Sequence, residues 1–374
     1  MKTDVAIIGA GIIGLWSAVE LARSGRTVLV LERETTGGHA SPATAGGVRS
    51  LNRDPAEIPL ARAALPLWEG AAEQLGEDVG FRAAGQIRVA ESDEAMAKLE
   101  ARAALTKSLG YNHEELIGAN TLRAMEPELS PHFRGAITVR DDGYADPART
   151  MGALHRAAVS AGVEIKSGVE VSAVVLGAPL TLETSDGAVE AAAVVNAAGA
   201  WGAEVAESVN ETVPLTPTAL QMTMTVPVPK FVTSVMGTEG RKLSLKQPPS
   251  GHVVIGGGYE GSIERDRMAL PNTAGIDENF ANAVSLFPHL APIPIARNWA
   301  GIEGMVADGL PVVSPSQTTP GLIHAFGFSG HGYALSPVIG RVICEIVNEM
   351  EPSVPIAAFD IERFAQLQAE RLSA

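Results

Sequence analysis

Three glycines near the start of the chain have the spacing of a phosphate-binding turn. Gly9, Gly11 and Gly14 form the pattern Gly-x-Gly-x-x-Gly directly after the apolar run at 5–8. Gly9 permits a tight turn, Gly11 lets the backbone approach a pyrophosphate, and Gly14 lets a helix pack against the strand. The spacing therefore predicts a site for a dinucleotide.

Glu32 supports this prediction from the end of a second apolar strand, Thr27 to Leu31. An acid at this distance from the first glycine binds ribose hydroxyls, and its carboxylate repels the 2′-phosphate of NADP. Ile12 and Ile13 open the intervening helix, whose free N–H groups attract phosphates. The glycines alone could mark an ordinary turn, but the complete pattern favours a βαβ dinucleotide unit.

A glycine-rich loop follows Glu32 and runs from Arg33 to Arg49. Its residues are small and polar, which is typical of a loop. Such a loop suits close approach to a second part of the cofactor. The alternative is a plain flexible connection.

Composition limits the classes of function. The chain has 374 residues, is 46% hydrophobic and 19% charged, and carries a formal net charge of −15. These values favour a globular protein and disfavour nucleic acid and anionic membrane surfaces as partners. No apolar run is long enough to span a bilayer, and Met1 is followed almost at once by a core strand. With Cys344 as the single cysteine, we expect a cytoplasmic location. The eight histidines show no metal-ligand spacing, so no metal is expected.

The elements that must position these residues are spread along the chain. Helices are expected over Pro59–Leu75, Glu91–Leu109, Pro147–Ala161 and Ala334–Met350. From Val213 to about Ala300, β-branched residues, methionines and prolines predict a mostly antiparallel sheet. The nucleotide-binding fold is therefore expected to consist of separated segments, with a substrate sheet threaded between them.

Several stretches resemble, in order, the D-amino-acid-oxidase-like superfamily of FAD-dependent amine oxidoreductases. They are the glycine pattern, 45–49, 142–149, 195–201, 299–303 with 308–311, and 327–332. Residues 244–247 and 250–252 add a resemblance to flavin subunits of bacterial multi-subunit enzymes. These are of the D-hydroxyproline dehydrogenase, opine oxidase, hydrogen cyanide synthase and sarcosine oxidase β types.

The resemblance implies an α/β fold with two parts. One is a glutathione-reductase-type, Rossmann-like FAD-binding domain, and the other is a mixed, mostly antiparallel α+β substrate domain. The expected division assigns 1–80, 141–212 and 300–374 to the FAD-binding domain and 81–140 and 213–299 to the substrate domain. The implied reaction is hydride transfer from an amine-bearing carbon to flavin N5, followed by hydrolysis of the imine.

The resemblance also implies which residues contact FAD. Besides the glycine turn and Glu32, they include a loop that faces the isoalloxazine or pyrophosphate, Val169 at the adenine, and a terminal turn that offers N–H groups to the flavin pyrimidine. The full set is Gly9, Gly11, Ile12, Ile13, Gly14, Glu32, Arg33, Thr44, Ala45, Gly46, Gly47, Val48, Val169, Ala198, Gly199, Trp201, Gly330, His331, Gly332 and Tyr333.

One position departs from the amino-acid and glycine oxidase branch of this superfamily. That branch carries a carboxylate-binding arginine where this chain has Glu303. Because a carboxylate cannot bind a carboxylate, Glu303 either faces a substrate amine or guanidinium, or is an acid outside the site.

Other candidates also keep two interpretations. Lys246 either lies at the flavin, activating oxygen or holding a carboxylate, or is a solvated strand residue. Arg49 either binds a carboxylate or phosphate of a ligand, or it has no ligand contact. Tyr259 either lines the substrate pocket or lies at a sheet edge. His331 is either a base or contributes through its backbone.

Covalent attachment of the flavin is not expected. Related sarcosine oxidases use a cysteine just before the terminal glycine turn, whereas Cys344 lies after it. Thr44 stands where some dehydrogenases carry a histidine, and His39 is offset from that position. The resemblance therefore implies non-covalent FAD.

Four functions follow, in order of preference. The first is oxidation of a C–N bond in an amino acid or N-substituted amino acid of the secondary-amine, D-amino-acid or opine type, with a partner subunit accepting electrons. The others are a stand-alone oxidase producing hydrogen peroxide, a subunit that mainly relays electrons, and a nicotinamide dehydrogenase.

Overall fold

The computed structural model describes residues 1–265 and 267–365 of the chain. Its strands are β1 (Lys2–Ile8), β2 (Val28–Glu32), β3 (Gly47–Val48), β4 (Gln86–Ala90), β5 (Glu115–Gly118), β6 (Gly135–Val139), β7 (Gly143–Tyr144), β8 (Glu164–Ser167), β9 (Val171–Val175), β10 (Leu180–Thr184), β11 (Gly187–Asn196), β12 (Leu215–Thr225), β13 (Val235–Thr238), β14 (Ser244–Lys246), β15 (Val254–Gly256), β16 (Ser262–Ile263), β17 (Ala269–Leu270), β18 (Ile295–Val306), β19 (Val312–Pro315) and β20 (Leu322–Phe326).

The helices include those expected from the sequence and also one at Thr273–Leu286, within the stretch predicted to be mostly sheet. They are α1 (Ile12–Arg23), α2 (Ala40–Ala43), α3 (Ile58–Glu69), α4 (Ala71–Leu75), α5 (Asp93–Ser108), α6 (Ala119–Met125), α7 (Pro147–Ser160), α8 (Gly202–Glu207), α9 (Thr273–Leu286) and α10 (Gly332–Val347). The helix expected over Pro59–Leu75 is interrupted at Gly70, and α10 begins two residues earlier than expected.

The first sheet is mainly parallel and has the order β19-β20-β11-β1-β2-β8. Strands β9 and β10 extend β11 as an antiparallel meander, and β19 pairs antiparallel at the edge. In β1, Val5 to Ile8 are all buried, as expected for a parallel strand covered on both faces. Helices α1, α3, α7 and α10 share one apolar core with this sheet. At Gly340 of α10, an added Cβ would lie 2.8 Å from the backbone of Trp16, so α1 and α10 pack in direct contact.

The second sheet has the order β18-β12-β15-β14-β13-β4-β6-β5. The pair β4–β13 is parallel and the remaining pairs are antiparallel. The expectation of a mixed, mostly antiparallel sheet is therefore confirmed. Its separate apolar core includes Leu286 of α9 and Leu122 of α6.

The chain passes between the two sheets several times. Strands from 2–32, 164–196 and 312–326 form the first sheet, whereas 86–139 and 215–306 supply the second. The division into two discontinuous domains stays a prediction, and β18 continues to Val306, beyond the expected boundary at 300. No helix in the described ranges is long and apolar enough to cross a membrane. The cytoplasmic location also stays a prediction.

Candidate active site

A cavity of about 430 Å³ runs from the β1–α1 turn to the start of α10. We call it the first cavity. Among the predicted cofactor residues, those that line it are Gly9, Gly11, Ile12, Ile13, Glu32, Arg33, Thr44, Val169, Ala198, Gly199, Trp201, Gly330, Gly332 and Tyr333. It brings residues from both ends of the chain to one elongated space.

The structure explains each of the three glycines of the turn in a different way. Gly9 has a φ of +104°, and a Cβ there would lie 2.5 Å from the carbonyl oxygen of Ala197. A Cβ on Gly14 would lie 2.0 Å from the carbonyl oxygen of Gly9. At Gly11 the nearest atom is Ser41 Oγ at 3.3 Å. Packing therefore requires glycine at 9 and 14, whereas Gly11 borders the cavity itself.

Glu32 is held in place by the turn that it faces. One carboxylate oxygen accepts the Ala10 N–H at 2.9 Å, and the other accepts the Glu34 N–H at 2.9 Å. The side chain lines the first cavity just beyond β2. This arrangement directs an acid to the place where a ribose would bind.

Ser41 is a cavity residue that the sequence interpretation missed. Its hydroxyl accepts the Ile12 N–H at 2.9 Å, at the N-terminus of α1. The residue also lines the first cavity, so its hydroxyl takes up one helix N–H and leaves its own O–H as a donor for a phosphate. The signal in the sequence was only its place in a small polar loop.

The outer end of the first cavity is built from aromatic and basic side chains. The Arg33 guanidinium lies 4.4 Å from the ring centre of Trp201, and the Arg267 guanidinium and the His39 ring also contact Trp201, at 5.5 Å and 4.5 Å. Val169 lies beside this group, and its N–H donates to the Glu32 carbonyl oxygen at 2.9 Å. A planar heterocycle finds both stacking and apolar contact here.

Glu303 lies at the inner end of the first cavity, on β18. Burial raises the pKa of its carboxyl to about 7, against the effect of a hydrogen bond from the Gly330 backbone. A Cβ on Gly330 would lie 3.9 Å from Glu303 Oε2. A titratable acid therefore faces the terminal glycine turn and the positive end of α10.

The His331 side chain lies among buried charged groups outside the cavity. Its Nδ1 is 3.0 Å from Glu57 Oε1, and its Nε2 is 3.4 Å from Arg49 Nη2. Burial and the nearby Arg53 lower the pKa of His331 to about 4. Its ring therefore anchors the turn and leaves the backbone of Gly330 and Gly332 facing the cavity.

Arg49 belongs to the same buried charged cluster and does not line the first cavity. Its Nη1 donates to the Leu51 carbonyl oxygen at 2.6 Å. Burial, together with repulsion from Arg53, lowers the pKa of Arg49 to about 9. These contacts favour a structural role over a ligand contact.

The loop before Arg49 is shaped by Gly46, whose φ is +70°. A Cβ there would lie 2.3 Å from the Ala145 carbonyl oxygen, whereas Gly47 has open space beside it. Gly47 and Val48 pair with β7. Together with Gly14 and His331, Ala45, Gly46, Gly47 and Val48 are the predicted cofactor residues that do not line the first cavity.

A second cavity, of about 820 Å³, shares Thr44, His39 and Gly38 with the first. Ala45 and Lys246 also line it. Lys246 is only 5% exposed, and burial lowers its pKa to about 7. The interpretation of Lys246 as a solvated strand residue is therefore wrong.

The structure brings Tyr259 to neither cavity. Its hydroxyl donates to Glu278 at 2.9 Å and accepts from Asn282 at 2.8 Å, both on α9. Cys344 is buried in α10 and also lies outside both linings. Within the described residues, no group of histidine, cysteine and acidic side chains could hold a metal ion.

Comparisons with known proteins agree with this arrangement. The sequence model of the family DAO, FAD dependent oxidoreductase, matches residues 4–346. Glycine oxidase from Geobacillus kaustophilus is 30% identical over 372 residues, covering 97% of each chain. One of the subunits of opine oxidase from Rhizobium meliloti is 28% identical over 388 residues, covering 99% of this chain and all of that one. The crystal structure of the Geobacillus glycine oxidase superposes with a TM-score of 0.89 at 26% identity, covering 96% of this chain and 98% of that chain.

Proposed function

Because the chain belongs to the DAO family of FAD-dependent oxidoreductases, we propose that it oxidises the C–N bond of an amino acid or N-substituted amino acid. Membership of this family makes the chain an FAD-dependent enzyme acting on amino acids or amines, and it argues against the nicotinamide dehydrogenase. The observation that carries the finer proposal is Glu303, an acid at the inner end of the first cavity. An acid there suits a substrate with a cationic nitrogen.

The first cavity fits FAD on its own chemistry. The N-terminus of α1 and the Ser41 hydroxyl suit a pyrophosphate, and Glu32 is held where it can accept from ribose hydroxyls. Arg33 and Trp201 suit the adenine end. When bound, FAD supplies the two-electron acceptor for the substrate carbon.

We propose that FAD is held without a covalent bond. Thr44, Gly38 and His39 are the loop residues that line both cavities, the His39 ring lies against Trp201, and Cys344 is buried in α10. Acid precipitation of the purified protein is expected to release the yellow colour into the supernatant. Flavin that stays in the pellet would contradict this proposal.

The residues at the inner end have separable tasks. The Glu303 carboxylate pairs with the substrate ammonium, orients the adjacent carbon and accepts one proton, which leaves the nitrogen the lone pair that C=N formation requires. The N-terminus of α10 favours negative charge at the glycine turn. His331 and Glu57 hold that turn through their side chains. Thr150 supports it by a 2.8 Å hydrogen bond to the Tyr333 hydroxyl.

The likeness to an opine oxidase subunit along almost the whole chain supports a further step. We propose that this chain is the catalytic subunit of a multi-subunit enzyme and passes electrons to a partner. The likeness to glycine oxidase favours the alternative, a stand-alone oxidase that makes hydrogen peroxide.

The test is a spectrum of the purified yellow protein without oxygen. A panel of glycine, sarcosine, proline, D-amino acids and N-carboxyalkyl amino acids is added, and bleaching of the flavin band is followed. At least one compound is expected to bleach the flavin within seconds. If none does, the proposed oxidation of a C–N bond is wrong.

Admitting air to the reduced protein then tests the subunit proposal. Slow reoxidation that an acceptor dye accelerates is expected of a subunit with an electron-accepting partner. Fast peroxide production by the isolated chain would instead make it a simple oxidase.

A further inference from the structure

Lys246 is a buried cation without a carboxylate partner in the described part of the chain. Its hydrogen bond is to the Ala145 carbonyl oxygen at 3.5 Å, and its Nζ lies 4.3 Å from the ring centre of Tyr144. Both contacts are to lining residues of the second cavity. The ammonium is therefore directed into a space of about 820 Å³.

The other charges of the second cavity do not neutralise this ammonium. Arg82 and Arg149 both pair with Asp78, at 3.8 Å and 3.0 Å. Asp146 lines the cavity and its charge raises the pKa of Lys246, but burial outweighs this effect, and the carboxylate caps α7 by accepting the Arg149 N–H at 3.0 Å. The lining is therefore more basic than acidic although the whole chain carries a net charge of −15.

The register of the second sheet places Lys246 in a row of residues that line this cavity. Lys246 pairs with Val254, Val254 with Met224, and Met224 with Arg297 across four strands. All of them line the second cavity. Arg297 is exposed and places a second cation at the far end of the row.

Burying an ammonium without an anion is costly, and here the cost is reflected in the lowered pKa of Lys246. A carboxylate would supply the missing partner and form a strong charge-assisted hydrogen bond. Glu303 cannot bind a carboxylate, because it carries the same charge. Lys246 is the buried cation available for one.

We propose that the second cavity is an anion site in which Lys246 binds the carboxylate of a small ligand. Glu303 lies six residues beyond Arg297 along β18, and Lys246 lies three strands away from β18. Between them α2 packs on β18, where Ala43 contacts Gly301 and accepts a hydrogen bond from Trp299. The ligand at Lys246 is therefore bound separately from the nitrogen end of the proposed reaction.

Binding of propionate, with the neutral propionamide as its control, tests Lys246 without any turnover. The wild-type holoenzyme, Lys246→Met and Lys246→Arg are titrated by calorimetry and by flavin difference spectra. We expect Lys246→Met to weaken propionate binding about 10- to 100-fold, Lys246→Arg to retain most of it, and propionamide to be insensitive. Equal propionate binding by the wild type and Lys246→Met, or none by the wild type, overturns the proposal.

Lys242→Met is the matched control, because Lys242 is an exposed lysine in the same segment whose Nζ contacts the Gly258 carbonyl oxygen at 3.1 Å. It removes the same charge outside the second cavity and is expected to leave propionate binding unchanged. A loss equal to that of Lys246→Met would assign the effect to net charge and overturn the anion site.

The propionate titration needs no turnover. It therefore decides the role of Lys246 even if no compound bleaches the flavin and the proposed function fails.

Discussion

The two cavities are built in different ways, although they meet at one loop. Backbone turns form much of the first cavity, and at Gly9 and Gly14 the space for a side chain is already filled by main-chain atoms. Side chains on one sheet face, such as Lys246 and Met224, form the wall of the second. The first cavity is therefore constrained by packing of the fold, whereas the second depends on side chains that can be exchanged.

The largest effects are expected at the glycine turn. Gly14→Val places its Cβ 2.0 Å from the Gly9 carbonyl oxygen, so we expect no folded protein in the soluble fraction. At Gly11 an added Cβ meets only Ser41 Oγ, at 3.3 Å, and the residue borders the first cavity, so we expect Gly11→Val to give soluble, folded but colourless protein. Circular dichroism and the flavin spectrum check both.

Gly118→Ala is the control for these variants, since it has no neighbour within 4 Å and a φ of −78°. It should remain folded and yellow. A Gly11→Val protein that kept full flavin would show that the turn does not border the cofactor.

A smaller loss is expected at the substrate end. Glu303→Gln removes the charge that pairs with the substrate ammonium but keeps the shape of the side chain. We expect kcat/KM to fall by about 10- to 1000-fold, about 1.4–4 kcal/mol of transition-state stabilisation, with flavin content unchanged. Steady-state kinetics with an acceptor dye measures this, and wild-type rates would remove Glu303 from the site.

The smallest effect concerns the stability of flavin-free protein as the pH changes. Because burial raises the Glu303 pKa from 4.5 to about 7, its contribution is fully present below pH 4.5 and is lost as the pH rises through about 7. Glu303→Gln cannot ionise and does not incur this loss. We therefore expect its Tm to match that of the wild type near pH 4.5 and to exceed it by a few degrees at pH 8.

Thermal melts at several pH values measure this difference. A constant difference in Tm between the two proteins would show that the raised pKa is absent. An increase in Tm together with a loss of activity would mark Glu303 as a residue kept for function at the expense of stability.

Local patterns predicted the first cavity better than the second. The glycine turn and Glu32 lie within one short βαβ unit, so their spacing along the sequence predicts their positions in the structure. Ser41 was missed because a serine in a polar loop has no periodic signal. The early start of α10 at Gly332 was missed because glycine is a weak helix former.

Side-chain direction at the distant residues could not be inferred from the sequence. Arg49 contacts His331, 282 residues away, and the Tyr259 hydroxyl donates a hydrogen bond to Glu278 on α9. The parallel pair β4–β13 joins Gln86 with Val235, which no local pattern indicates. These features depend on tertiary packing that apolar periodicity does not encode.

The long pairing of β12 with β18 has a consequence for how this enzyme could diverge. Its ladder runs from Leu215 opposite Val306 to Met224 opposite Arg297, and it places Glu303 opposite Thr218. A single insertion within this stretch would turn the following side chains to the other face, whereas a substitution keeps the register. A side chain at Gly301 would meet Ala43 of α2, so tightly packed positions are not open to exchange. New substrate preferences can therefore arise most readily by exchanging single side chains that line a cavity, such as Glu303, on a fixed backbone.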